Sequence, residues 1–358
     1  MTALTLPSVP HYNAPPPTKA DLDYADLSII DLSKTDSPEG RAALACQVRD
    51  ALLAHGFFYV INHGYPGSRD RMFDIADVPF EGVSDEEKQL YSAIDQETGW
   101  YHAYKLRESW RIAAGVRDQF EFINIDRDPS KQGHPEALQS FLPEIKEFAS
   151  FNHYDVLFPI LKLIALSLEL PEDAFVNIHQ SNGLGEAFVR FSKYHPHSME
   201  DGEKSQNLWL QGHTDSGSIT ILWSQPVAGL QILGTDSKWR WVKYVEDALV
   251  VNAGDVMDFL TGGYYKATIH RVIRPPLDQQ QLTRLCVFYF VMADGDVKLV
   301  PFRDSPVLQR VGIHPRCDDT VAPTMLEWRR ARANGYAQME FKRVDEEIVN
   351  GVVVKHYR

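Results

Sequence analysis

The feature that most constrains this chain is a change of grammar near residue 184. From Phe188 to about Val300, short runs of β-branched and aromatic residues alternate with turn residues: Phe188–Tyr194, Ser218–Trp223, Leu230–Leu233, Ala248–Asn252, Ala267–Ile273 and Leu285–Val291. Strands this short and this regularly punctuated point to an all-β barrel or sandwich. Upstream the pattern is mixed. Leu27–Leu32 reads as a short strand, and residues 40–54 set Leu44, Val48, Ala51 and Leu52 at helical spacing before Gly56. Phe57–Ile61 is a compact aromatic and β-branched strand. The spacing of Ile145, Phe148, Leu157, Leu161, Ile164 and Leu168 predicts a long helix over 143–170, kinked or divided at Pro159. Residues 84–150 yield no clear element. Residues 324–341 predict a closing helix. Residues 1–26, with Pro7, Pro10, Pro15, Pro16 and Pro17, read as an extended arm. The expected organisation is therefore an arm (1–26), a mixed α/β region packed on the core (27–183), a β core (184–300) and a helical C-terminal segment (301–358).

Within the β region, His213 and Asp215 lie two positions apart, and His270 follows 55 positions after Asp215. On an extended segment residues two apart project to one side. A third ligand so distant must return from the far side of a folded sheet. Two imidazoles and one carboxylate on one face of a metal leave the other positions open, the arrangement of non-haem Fe(II) oxygenases. By itself, His-x-Asp is more often a hydrogen-bonded turn, and among thirteen histidines a third partner is easy to find.

The formal net charge of −13 argues against nucleic acid as a partner, since phosphate binding needs a basic surface. Three widely separated cysteines, Cys46, Cys286 and Cys317, form no disulfide framework and suit a reducing compartment. No apolar run approaches a membrane span, and the N-terminus lacks the head and core of a signal peptide, so a cytoplasmic protein without a membrane partner is expected.

The words around the three ligand-type residues form an ordered series. They are His213-Thr214-Asp215, Gly229-Leu230-Gln231, Trp239-Arg240-Trp241-Val242, Asn252-Ala253-Gly254-Asp255, Gly262-Gly263-Tyr264-Tyr265-Lys266 and His270-Arg271-Val272. Upstream stand Ile30-Asp31-Leu32 and His55-Gly56-Phe57-Phe58-Tyr59-Val60-Ile61-Asn62-His63-Gly64. In this series the chain resembles the isopenicillin N synthase-like group of 2-oxoglutarate- and Fe(II)-dependent oxygenases, over most of residues 27–300. The resemblance implies a mainly β fold with flanking helices, built on a double-stranded β-helix (jelly-roll) core with iron at one end. It implies Fe(II) on His213, Asp215 and His270, with 2-oxoglutarate and dioxygen as co-substrates and ascorbate as an accessory reductant.

Two further matches bear on the co-substrate. Arg284-Leu285-Cys286 stands where the family has Arg-x-Ser, and Ser192-Lys193-Tyr194 where it has Asn-x-Tyr. The resemblance assigns the distal carboxylate of 2-oxoglutarate to Arg284 and Tyr194, with Cys286 and Ser192 beside it. A guanidinium offers a carboxylate two parallel donors; a thiol is a weaker donor than the usual hydroxyl. Isopenicillin N synthase itself and the ethylene-forming oxidases share this grammar without consuming 2-oxoglutarate, so an Fe(II)/O2 oxidase and a non-catalytic ligand-binding protein are the alternatives.

Strand alternation supplies a substrate expectation. If Tyr194 points into the barrel, Ser192 and Arg190 do too; if Arg284 does, so do Cys286, Phe288 and Phe290. An inward Arg190 needs a counter-charge, either an interior acid or an anionic group on the substrate, with Phe288 beside it. Trp100, Tyr101, Phe120 and Phe122 are candidates for a pocket wall. His195 and His197 are expected to be turn or surface residues. The expected activity is oxidation of a C–H bond in a small, specialised-metabolite molecule, with hydroxylation as the default outcome, by a monomer or weak homodimer.

Overall fold

The computed structural model describes residues 6–92, 94–95, 100–101, 104–180, 183, 185–337, 346–349 and 351–355. Its strands run in chain order as β1 (Ile29–Asp31), β2 (Phe57–Ile61), β3 (Ile94–Asp95), β4 (Trp100–Tyr101), β5 (Tyr104–Lys105), β6 (Phe120–Asp126), β7 (Ala187–Tyr194) and β8 (Leu208–His213). They continue as β9 (Ile219–Trp223), β10 (Leu230–Leu233), β11 (Trp239–Trp241), β12 (Leu249–Ala253), β13 (His270–Ile273), β14 (Arg284–Val291), β15 (Glu346–Val349) and β16 (Val352–Lys355). Eight form a major sheet in the order β1-β2-β12-β9-β14-β7-β6-β5, and four form a minor sheet in the order β11-β10-β13-β8. The two sheets make a jelly roll with helices outside it.

The major sheet is buried on both faces, and a two-residue period sorts its side chains. Ile123, Val189, Phe191, Ile221, Val287 and Tyr289 point outward into a core shared with the helices and are fully buried. Burial of a side chain of this size contributes about 1.5–3 kcal/mol. Their neighbours Phe122, Tyr194, Leu222, Val250 and Cys286 point inward and form a second cluster with Phe57, Trp209 and Ile232. Only the inward set can meet a ligand inside the barrel.

Several expected elements form where their chemistry places them. Ser37 caps the helix Pro38–Ala54 by accepting from the Gly40 amide, with Pro38 in its first turn. Gly56 ends the helix at φ +64, where an added Cβ would lie 2.1 Å from the Thr268 hydroxyl. The long helix expected over 143–170 is two helices, Leu142–Phe151 and Phe158–Ser167, joined by a π turn over Asn152–Leu157. The break precedes Pro159 and has its own cause. Asn152 turns its side chain back to the Phe148 carbonyl and accepts from the Trp223 indole at 2.9 Å.

Strand β6 lies in the segment where the sequence pattern suggested nothing, because it is buried on both faces and carries Glu121 and Asn124. Glu121 is neutralised by Lys88 at 3.1 Å and His195 at 2.9 Å. With β6 in place, β1, β2, β5 and β6 share the sheet of the downstream strands, so the region before residue 184 contributes half of the major sheet. The C-terminal segment carries the expected helix (Met325–Ala337) and also the hairpin β15–β16, which helical patterning did not suggest. The arm is extended and tied down: Thr18 and the Lys19 amide bond to Asp278, and Tyr24 bridges to Trp241. Among the described residues no helix is long and apolar enough to cross a membrane.

Two buried imidazoles behind the sheet link its strands to the helices. His153 meets the Tyr289 hydroxyl and the His179 carbonyl, and His179 meets the Phe175 carbonyl and the Ser218 hydroxyl. Burial pulls their pKa values down to about 3 and about 4 respectively. An unfolded chain takes up these protons below about pH 6.5 and the folded chain does not, so stability falls as pH drops from about 6.5 toward 4. At pH 5 the loss is about 2 kcal/mol per histidine. Urea unfolding at pH 7.5 and pH 5 checks it; an unchanged midpoint would show that these rings are not held neutral.

Candidate metal centre

Strand β8 ends on His213 and β13 begins on His270. The two are direct cross-strand partners in the minor sheet, with ring centroids 4.3 Å apart. Asp215 lies two residues on, where the chain leaves the minor sheet for β9 in the major one. One ligand atom from each of the three residues falls within a 4.8 Å cluster, the only such grouping among the described residues. Asp215 Oδ1 is 3.8 Å from His213 Nε2 and 3.6 Å from His270 Nε2.

Neighbouring groups fix which atoms face that gap. His213 Nδ1 bonds to the Gln211 carbonyl at 2.8 Å and His270 Nδ1 to the Thr268 carbonyl at 3.1 Å. A carbonyl only accepts, so each Nδ1 carries hydrogen and each Nε2 is the nitrogen left to face the gap. Asp215 Oδ2 accepts from Thr220 at 2.6 Å and Asn252 at 2.9 Å, which turns Oδ1 to the gap. Burial lowers His213 to about 4, and His270 pushes it the same way, so the ring is neutral and ready to ligate. Burial pushes the Asp215 carboxyl up, but the two histidines and its two hydrogen bonds outweigh that and hold it low. Two imidazole nitrogens and a carboxylate oxygen, all turned to one gap, fit a divalent borderline ion such as Fe(II).

The loop carrying Asp215 is clamped by backbone contact. The Gly254, Asp255 and Val256 amides donate to the Ser218, Asp215 and Gly217 carbonyls at 2.9, 2.8 and 3.1 Å. A Cβ on Gly254 would lie 2.2 Å from the Gly217 carbonyl oxygen, so only glycine permits this approach. Asp255 accepts from the Thr214 hydroxyl at 2.9 Å. Its carboxylate also faces Arg316 at 3.3 Å and Arg332 at 3.7 Å. Arg332, on the C-terminal helix, donates to the Thr214 carbonyl at 3.0 Å. That helix thus braces the metal loop from 118 residues away, a contact no local pattern announces.

A cavity of about 240 Å³ opens from the triad into the barrel. The expected inward residues meet there through the register of two adjacent strands, β7 and β14. Tyr194 pairs with Arg284, Ser192 with Cys286, and Arg190 with Phe288. All of these line the cavity except Cys286, which is buried behind Arg284 and accepts from its Nη1 at 2.7 Å. Arg284 also bonds to the Val227 carbonyl at 3.2 Å and lies 5.7 Å from the Tyr194 ring. Tyr194 is stacked between Phe120 and Trp209. The Ser192 hydroxyl is buried with no hydrogen-bond partner, an unspent polar group beside the guanidinium. A dicarboxylate reaching from the triad toward Arg284 would meet that hydroxyl, the phenol and the guanidinium fork.

Arg190 donates from Nε to Asn124 at 2.7 Å and stacks on Phe122 at 3.8 Å. Phe120, Phe122 and Trp110 form part of the wall, while the side chains of Trp100 and Tyr101 lie outside the described residues. His195 and His197 are not surface residues. His195 belongs to the buried Lys88–Glu121 network, and His197 packs on Trp209. Thr220 and Arg332 are the neighbours of the triad that motif reading passed over; Asn252 stood in one of the ordered words but had no role assigned.

Residues 172–293 match the 2OG-Fe(II) oxygenase superfamily, and residues 27–145 match the non-haem dioxygenase in morphine synthesis N-terminal family. A 2-oxoglutarate-Fe(II) type oxidoreductase, hxnY of Emericella nidulans, is 30% identical over 68% of this chain and 74% of its own. Among solved structures, a full-length Neurospora crassa protein in complex with alpha-KG and thymine aligns with a TM-score of 0.73 at 18% identity, over 86% of this chain and 96% of that one. JOX2 in complex with 2OG, Fe and JA aligns with a TM-score of 0.62 at 24% identity, over 80% and 81% of the two chains.

Losing either partner of Asp215 Oδ2 frees the carboxylate to rotate away. Asn252→Ala and Thr220→Ala are each expected to weaken divalent-metal binding about 10–100-fold without loss of fold. Anaerobic titration with Fe(II) or Co(II), beside circular dichroism, measures both. Arg332→Gln should also weaken binding, because it releases the Thr214 carbonyl. Wild-type affinity in Arg332→Gln would mean the C-terminal helix does not brace the loop.

Proposed function

Because this chain belongs to the 2-oxoglutarate- and Fe(II)-dependent oxygenase superfamily, we propose that it oxidises a C–H bond of a small, anionic specialised metabolite, using the residues gathered at this cavity. It is a 2-oxoglutarate-dependent dioxygenase; the substrate class and the residue roles are our reading. One observation carries that reading. A preset His213–Asp215–His270 cluster opens onto a cavity that ends on a buried arginine fork.

In this reading His213, Asp215 and His270 hold Fe(II). Arg284 and Tyr194 hold the distal carboxylate of 2-oxoglutarate, with Ser192 donating beside them and Cys286 keeping the guanidinium in place. Burial pushes the Cys286 thiol up, so it stays neutral and does not compete with the carboxylate for Arg284 as an ion. The Tyr194 phenol is likewise pushed up and remains a donor. With iron and co-substrate bound, oxidative decarboxylation of 2-oxoglutarate to succinate and carbon dioxide supplies the oxidising power, one oxygen atom of O2 going to the substrate. The chain itself decides what that power meets. The phenylalanine-rich wall excludes water, and Arg190 fixes the anionic end of the substrate so that one C–H faces the metal.

His213→Ala and Asp215→Ala are expected to abolish iron binding and turnover together. Arg284→Gln should raise the KM for 2-oxoglutarate roughly 30-fold, about 2 kcal/mol, with a smaller change in kcat. The test is a screen of small organic acids against the iron-loaded enzyme, scored by succinate release per product formed. Product without stoichiometric succinate, or a wild-type KM in Arg284→Gln, would overturn the assignment of the cavity's buried end to 2-oxoglutarate.

A further inference from the structure

The substrate end of the cavity is shaped more narrowly than its general chemistry requires. Cross-strand register sorts the lumen of the major sheet into rows. One row runs Asn124–Arg190–Phe288–Leu222, and the next runs Phe188–Phe290–Thr220–Asn252. The second row carries both groups that hold Asp215 Oδ2. Arg190 therefore stands one row, about 7 Å along the strands, from the level of the metal ligands.

Its guanidinium is held among flat groups. It lies 3.8 Å from the Phe122 ring and 4.7 Å from the Phe290 ring. Phe290 stacks on Phe188 at 5.3 Å and 19°, and on Phe288 at 5.3 Å and 28°. These rings form a ladder that leads from the guanidinium toward the metal ligands. A planar molecule extends such a ladder and a puckered one does not. The cavity's charge points the same way. Its described lining includes Arg111, Arg190, Arg284 and Arg329, with Arg332 also lining it but facing Asp255 behind the wall, against Asp215 as the single lining carboxylate, in a chain of net charge −13. A cationic cleft in an acidic protein concentrates anions. The volume of about 240 Å³ is below the usual 300–1,000 Å³ of ligand pockets and must also hold the co-substrate.

Resting on the reading above, we propose that the substrate is a planar, single-ring acid. Its carboxylate sits on Arg190 beside Asn124 and its ring lies along Phe288 and Phe290. The bond oxidised is at the edge of the ring remote from the carboxylate. For a methyl group at that edge the reaction is R–CH3 + O2 + 2-oxoglutarate → R–CH2OH + succinate + CO2. The C–H bond is replaced by C–OH, one oxygen atom enters the alcohol, the other enters succinate, and the two electrons from the substrate and two from decarboxylation reduce O2.

The probes are 4-methylbenzoate, 4-methylbenzamide, 4-methylcyclohexanecarboxylate and anthracene-2-carboxylate, titrated anaerobically by calorimetry into enzyme loaded with Fe(II) and 2-oxoglutarate. The expected result is that 4-methylbenzoate binds at least tenfold tighter than each of the others. In air it should yield 4-(hydroxymethyl)benzoate with one succinate. Arg190→Gln, and separately Asn124→Ala, should erase or reduce the acid-over-amide preference while 2-oxoglutarate affinity stays within about twofold. Equal binding of acid and amide, of flat and puckered rings, or of one and three rings overturns the proposal, as does a preference that survives in both variants. The two readings fail separately. Consumption of 2-oxoglutarate with a substrate outside this class would overturn this inference alone. Selective binding of 4-methylbenzoate without 2-oxoglutarate turnover would overturn the assignment of the co-substrate.

Discussion

Much of this structure depends on how the Asp215 carboxylate is held. A carboxylate at the seam of two sheets loses much of its hydration, and burial alone would favour its protonated form. Two flanking imidazoles and two hydrogen bonds to Oδ2 reverse that preference, so the group stays ionised and keeps Oδ1 turned to the histidines. The arrangement is reciprocal. The donors Thr220 and Asn252 come from adjacent strands of the major sheet, whereas His213 and His270 belong to the minor one. A ligand set that needs both sheets in register is also a device that fixes one sheet against the other.

The same economy governs the major sheet. A sheet buried on both faces ordinarily reads as continuous apolar sequence, yet here its inner face carries Arg190, Ser192, Asn252 and Arg284. Three of these four polar groups have an assigned neighbour. Arg190 has Asn124 and the Phe122 face; Arg284 has Val227 and Cys286; Asn252 has Asp215. The buried hydroxyl of Ser192 departs from this rule, and it lies where the reading of the cavity puts an incoming carboxylate. Alternating a mainly apolar outer face with an inner one that carries these polar groups lets eight strands serve as a core wall and as the wall of a reaction chamber.

What could be read from the sequence divides along physical lines. The strands β2, β9, β10, β12 and β14 were legible because hydrophobic period and turn punctuation are local, and strand alternation correctly put Arg190, Ser192 and Tyr194 on one face. The triad was legible only through the words around it, and the structure gives those words a mechanical sense. The asparagine of Asn-Ala-Gly-Asp holds Asp215, the glycine admits the opposing backbone, and the aspartate ties Thr214 to two arginines. Strand β6 escaped notice because the charge of Glu121 is neutralised by Lys88 and His195, residues far away in the chain. The π turn escaped because its cause, the contact between Asn152 and Trp223, is likewise tertiary. Arg332 carries no local signal at all.

That last contact bears on how the site is completed. The clamp formed by the Gly254, Asp255 and Val256 amides fixes the backbone of the metal loop, but it leaves the buried Asp255 carboxylate needing counter-charge. Arg316 and Arg332 supply it, and the indole of Trp328 packs within 5.3 and 5.8 Å of their guanidinium carbons. Because Arg332 also lines the cavity, the helix that neutralises Asp255 doubles as part of the chamber wall. Its positive charge further opposes protonation of His213. A chain that closed without this helix would keep its three ligands but would leave Asp255 with one arginine and the cavity open on one side. The C-terminal helix is therefore part of the metal site in the physical sense, acting through Thr214 and Asp255.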